Sequence, residues 1–93
     1  MFPNILKRMR ESVQAGTMVF TPHALDEMAD DDLLRADIEN CILCGVIVHR
    51  QWDEEYSEYK YLIDGMTLWN DSIEVVVKLK YNKNTVVITA YRL

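Results

Sequence analysis

The amino-acid sequence predicts an α+β domain, with N-terminal helices packed on one face of a four-stranded antiparallel sheet. Three observations carry this. Up to about residue 44 apolar side chains recur at three- and four-residue spacings; from Val46 onward they alternate; and Gly16 and Gly45 stand where the helical patterns end. The 93 residues hold one core, so residues 1–93 are read as a single domain.

Each element follows in order. Pro3 suits a first helical position, Gly16 a helix stop, and Phe2, Leu6, Met9 and Val13 form one stripe, which predicts a helix over 3–15. Lys7, Arg8 and Arg10 lie off that stripe. Val19-Phe20 read as extended. Thr21 is an N-cap, with Pro22 behind it, for a short helix to about Ala29 that turns Ala24, Leu25 and Met28 inward. Asp30-Asp31-Asp32 breaks it. A third helix, roughly 34–44, carries Leu34, Ile38, Cys41 and Ile42 on its inner side. Strands are predicted at Val46–Arg50, Tyr59–Met66, Ile73–Tyr81 and Thr85–Arg92, with a solvated acidic loop at Trp52–Glu58 and a tight turn at Asn82-Lys83-Asn84.

Alternation along the third strand puts Ile73, Val75, Val77 and Leu79 on one face and Glu74, Val76, Lys78 and Lys80 on the other. Along the last strand it puts Val86, Ile88 and Ala90 on one face and Val87, Thr89 and Tyr91 on the other, both fairly apolar. The open face of the sheet is expected to carry Lys78, Lys80, Thr89 and Tyr91.

Composition excludes several classes. With 49% apolar and 10% aromatic residues the chain is neither disordered nor collagenous. No apolar run is long enough for a membrane span. Basic residues interrupt the N-terminus before an export signal can form, and the two cysteines make no disulfide framework, so a reducing cytoplasm is the expected setting. The formal charge of −5 argues against a surface that is basic throughout. The charge is segregated, however: basic residues gather in the first helix and the last two strands, and a local basic patch is compatible with the total.

Four constellations could carry chemistry. His23 follows Thr21-Pro22 at a helix start, where free N–H groups attract an anion; such a histidine can act as acid or base, or simply cap and pack. Glu74, Lys78, Lys80, Thr89 and Tyr91 could converge on one sheet face, or be its ordinary solvated residues. Metal-free RNA cleavage needs a base for the 2′-hydroxyl, an acid for the leaving oxygen and a cation for the phosphorane, and these residue types supply them. Cys41 and Cys44, with His49 or His23, could form part of a zinc site, but one pair inside a helix reads better as packing. Trp52, Tyr56, Tyr59, Tyr61, Trp69 and Tyr81 could stack on bases but more often pack across strands, and the four acidic residues at 53–58 repel a phosphate chain, so RNA is not expected on that loop. The acidic stretch 26–39 is either solvated surface or a docking site for a basic partner.

Phe20-Thr21-Pro22-His23-Ala24-Leu25-x-x-Met28, followed in order by Asp37-Ile38, Gly45-Val46-Ile47, Tyr61-Leu62-Ile63, Gly65, Ile73-Glu74-Val75-Val76-Val77 and Val87-Ile88-Thr89-Ala90-Tyr91, resembles the bacterial domain-of-unknown-function family four-two-five-eight, whose opening signature is His-Ala-x-x-Arg-Met. The likeness covers about residues 19–92 and leaves the first helix as an addition. It implies a RelE- or barnase-like ribonuclease fold, kinship with toxin–antitoxin ribonucleases of the MqsR kind, and an antitoxin protein as partner. It implies His23, Glu74, Lys78, Thr89 and Tyr91 as candidates for RNA cleavage; of these we expect His23, Glu74, Lys78 and Tyr91 to be catalytic, with Lys80, Thr89 and Arg92 toward the RNA and neither metal nor cofactor. The chain departs from the signature at Glu27, where the family has Arg, and at Asp31 and Asp32, where it has a basic residue and Gly. A carboxylate at 27 repels a phosphate that the arginine would attract; Lys7, Arg8 or Arg10 could compensate. The expected function is a toxin-like, metal-independent endoribonuclease or a degenerate member of that group. The alternative is a non-catalytic protein-binding module on the same fold.

Overall fold

A computed structural model describes residues 2–80 and 84–93. Three helices precede a sheet: α1 (Pro3–Ala15), β1 (Val19–Phe20), α2 (Pro22–Asp30), α3 (Arg35–Cys44), β2 (Val46–Asp53), β3 (Glu58–Met66), β4 (Ser72–Leu79) and β5 (Thr85–Arg92). The expected turn at Asn82-Lys83-Asn84 and the expected end of the third strand at Tyr81 fall on or beside residues 81–83, outside the described residues. No described helix is long and apolar enough to cross a membrane.

The sheet differs from the expected four antiparallel strands. It has five, in the order β1-β5-β4-β3-β2, and it is mixed, because β1 runs parallel to β5 with Val19 opposite Val86 and Phe20 opposite Val87. Two residues are too few to show a period, so the sequence marks them only as extended. Their pairing covers part of the outer edge of β5, and Thr21 extends the cover by donating its N–H to the Val87 carbonyl at 3.0 Å.

The helices pack on one face. Ile38, Cys41 and Ile42 of α3 and Met9 and Val13 of α1 bury against Ile47, Ile63, Ile73, Val75, Val77 and Val87. Leu34, expected on the inner side of α3, is 67% exposed because it is the extended N-cap residue and precedes the first turn. Asp37 does the capping instead: one carboxylate oxygen accepts from Leu34 N–H at 3.0 Å and the other from Leu68 N–H at 3.1 Å, which ties α3 to the β3–β4 connection. Arg10 of α1 donates to the carbonyls of Ile42 and Gly45 at 3.0 and 2.9 Å, satisfying the C-terminal end of α3. That use takes Arg10 away from compensating Glu27.

One irregularity decides the faces of β5. Val76 pairs with Thr89 and Val77 with Val87, so Ile88 is an extra residue, a β-bulge. Simple alternation separates Val87 from Ala90; the bulge turns both inward, each with 0% exposure. Thr89 and Tyr91 remain on the open face.

Close approach of α3 to β3 requires Gly65, because a Cβ there would stand 2.8 Å from Cys41 Sγ and 2.9 Å from the Cys41 carbonyl oxygen. Gly65→Ala is therefore expected to destabilise the fold by about 1–3 kcal/mol through overpacking. Urea unfolding should show a lower midpoint with an unchanged slope.

Candidate functional site

The open face of the sheet holds two separate polar groups. The first is built by the β2–β3 hairpin folding its tip beside the end of β4. Lys78 Nζ donates to Asp53 Oδ2 at 2.9 Å and Glu58 Oε1 at 3.0 Å, and Lys80 Nζ donates to the same Glu58 oxygen at 2.7 Å. The Tyr56 ring covers Lys78, with Nζ 4.5 Å from its centroid. Lys78, Lys80, Glu58, Tyr56, Thr21, Val86 and Ile88 line one hollow.

The residue is 5% exposed, so Lys78 is a buried cation. Burial alone would lower its pKa, but the hydrogen bonds to Asp53 and Glu58 outweigh burial and raise it. Conversely, the Lys80 hydrogen bond, working against burial and assisted by Lys78, holds Glu58 below the usual carboxylate range. The Lys78 hydrogen bond does the same for Asp53. The hollow thus contains two ammonium groups that share one ionised carboxylate.

The second group crosses three strands. Asp64 faces Glu74, and Glu74 faces Tyr91. The Tyr91 hydroxyl donates to Glu74 Oε1. That bond first, and burial second, pushes the Tyr91 phenol up to about 12, so it stays protonated and serves as a donor. Burial and the neighbouring Glu74 raise the pKa of Asp64. Its Oδ1 is buried without a hydrogen-bond partner.

The structure unites the sequence candidates only in part. Lys78 and Lys80 meet, and Glu74 meets Tyr91, but Glu74 and Lys78 stand four residues apart on β4, roughly 13 Å along the strand at ~3.3 Å per residue. One phosphate cannot touch both. His23 Nε2 pairs with Glu27 Oε1 at 3.2 Å, and the imidazole is 70% exposed. Glu27 Oε1 also accepts from Ala90 N–H at 3.3 Å, which holds α2 against β5. His23 does not line the hollow, although Thr21, two residues before it, does. Thr89 is half-buried between the two groups. Arg92 is tied elsewhere: its N–H and Nε bond Asp31, and its Nη1 meets Asp71 Oδ2 at 2.8 Å. It braces the sheet corner and does not reach toward the hollow.

Sequence reasoning missed Asp53 and Glu58 because they fell in a segment read as a solvated loop, and it named Tyr56 only among the aromatics while placing no RNA on that acidic tip. β2 continues to Asp53 and β3 starts at Glu58, which brings this acidic tip onto the lysines. The available signal was a pair of lysines on one face of β4 and an excess of carboxylates at the tip of the neighbouring hairpin.

The cysteines form no pair for a metal. Cys41 faces the core, its thiol pushed up to about 12 by burial, with Asp64 and Cys44 adding to the shift, while Cys44 is exposed. Trp52 packs edge-on across strands against Tyr59, and Phe2, at the start of α1, packs edge-on against Tyr61.

These features define an α+β domain with three helices on a five-stranded mixed sheet and a charged hollow on its uncovered face. The chain belongs to the family described as Domain of unknown function (DUF4258), whose model matches residues 20–92. No curated protein and no solved structure matches it.

The two polar groups make opposite demands on pH. Asp64 has a raised pKa in the folded state, so its contribution is fully present below the ordinary value of 3.8 and is lost as pH rises through the folded value. Asp53 and Glu58 have lowered values, so theirs is present above the ordinary 3.8 and 4.5 and is lost as pH falls. Asp64→Asn is therefore expected to gain stability relative to wild type as pH is raised from about 4 to about 7, measured by urea unfolding at each pH. An unchanged difference across that range would refute the assignment.

Proposed function

We propose that the chain is a toxin-like, metal-independent endoribonuclease acting in the hollow of the open sheet face. The observation that carries the reading is the Glu58 carboxylate held between Lys78 and Lys80. RNA can be cut by its own 2′-hydroxyl, which attacks the adjacent phosphorus and expels the 5′-oxygen. The protein must accept the 2′ proton, stabilise the extra negative charge on the phosphorane and return a proton to the leaving oxygen. Glu58 is the base, kept ionised by its cations. Lys78 and Lys80 stabilise the phosphorane. His23, exposed and two residues beyond Thr21 at the hollow's edge, is the proton donor to the leaving oxygen. Glu74 and Tyr91 take a positioning role along the bound strand in place of direct chemistry.

The family resemblance supports the same reading: a fold of the RelE or barnase kind, kinship with MqsR-type toxins and an antitoxin protein as partner. The free thiols of Cys41 and Cys44 fit a reducing cytoplasm.

A second reading has its own support. Lys78 is matched by two carboxylates, and Glu27 stands where the family signature has Arg, so the face could be a protein-binding module without catalysis.

The expected outcome is that purified protein cuts single-stranded RNA at low salt in the presence of EDTA and leaves 2′,3′-cyclic phosphate ends. Glu58→Gln, Lys80→Ala and His23→Ala should each slow cleavage roughly a hundredfold or more while remaining folded by circular dichroism. RNA left intact at high protein concentration and low salt would overturn the enzyme and leave the binding module.

A further inference from the structure

We propose that Tyr56 is a stacking platform for one base of the RNA strand whose phosphate occupies the Lys78–Lys80 hollow, which makes the site selective for single-stranded RNA. The inference rests on the ribonuclease reading and adds the substrate's form and a specificity residue to it.

Tyr56 is at the tip of the β2–β3 hairpin and is 63% exposed, so its ring contributes little to the core. Its position is nonetheless defined. The Asp53 carboxylate accepts from Glu55 N–H at 3.1 Å, and Ser57 takes a left-handed turn conformation at φ 50°, which shapes the tip. The ring is anchored over Lys78. One face of the ring rests on Lys78 and the residue is otherwise exposed, beside a hollow that Lys78 and Lys80 line. A nucleotide offers the complementary pair, a flat base and a charged phosphate joined by one sugar. Stacking on such a face tolerates any base sequence but requires a base free of its partner. In duplex RNA the bases are stacked and paired inside the helix and cannot reach a side chain at the edge of a hollow.

The test uses binding, so that it does not depend on cleavage. The probes are a fluorescently labelled 2′-O-methyl RNA strand, which cannot be cut, the same strand annealed to its complement, and a strand of abasic residues. Fluorescence anisotropy with the full chain should show tighter binding of the single strand than of the duplex. Tyr56→Ala should weaken single-strand binding roughly tenfold, the size of one base–aromatic stack, and leave the abasic strand unaffected. Tyr56→Phe should retain wild-type affinity, since the ring and not the hydroxyl is used. Equal affinity of Tyr56→Ala and wild type for the single strand, with Lys80→Ala still weakening it, would overturn the platform and spare the phosphate hollow. Failure of the wild-type chain to bind any of the probes at low salt would overturn both.

Discussion

A lysine ammonium at the surface of a sheet covered on one side only could simply extend into water; Lys78 does not. It is buried, and an unpaired buried charge costs several kcal/mol, so the chain must bring anions to it. Asp53 and Glu58 meet that need from adjacent ends of β2 and β3, where they are direct cross-strand partners. This constraint organises much of the open face. It bends the hairpin tip over β4, lays Tyr56 on the ammonium and forms one wall of the hollow. Lys80 then completes the group by sharing Glu58, so the carboxylate is held from two sides. The arrangement of two lysines and two carboxylates is close to neutral as it stands.

The opposite end of the same face has the reverse character. Asp64, Glu74 and Tyr91 form a row in which two carboxylates face each other and Glu74 accepts a hydrogen bond from the phenol. Like charges across neighbouring strands repel. The row is tolerated because the Tyr91 hydroxyl offsets part of the charge and because Asp64 holds its proton more firmly than a solvated aspartate. The two ends of β4 on this face thus differ in character: paired lysines at Lys78 and Lys80, and a carboxylate row at Glu74.

How much of this could be read beforehand depended on range. The α1 stripe at Phe2, Leu6, Met9 and Val13, the Thr21 cap and the period-two run from Ile73 to Leu79 are local, and they were legible. β1 was not recognisable as a strand because its partner lies 67 residues away and its two residues carry no period. The bulge at Ile88 was hidden for a related reason: one extra residue in an apolar strand leaves no compositional trace, yet it reverses the side on which every later residue lies. At the candidate site, Lys78 and Lys80 were visible as polar residues on one face. Their anions were not, because Asp53 and Glu58 look like ordinary loop acids until the hairpin register is known.

Glu27 illustrates how a departure from a family signature can be absorbed by the backbone. Beyond the short reach of β1 and Thr21, the edge of β5 still has N–H groups that need acceptors. Glu27 supplies one to Ala90, while the same oxygen holds His23. Arginine has donors only and could not fill that role. The carboxylate therefore exchanges a cation near the helix mouth for a clasp between α2 and the sheet edge, and the cations of the face are concentrated on β4 instead. Lys78 stands on β4 and Lys80 just past its end, one strand inward from β5, while His23 stays on α2 beside Glu27.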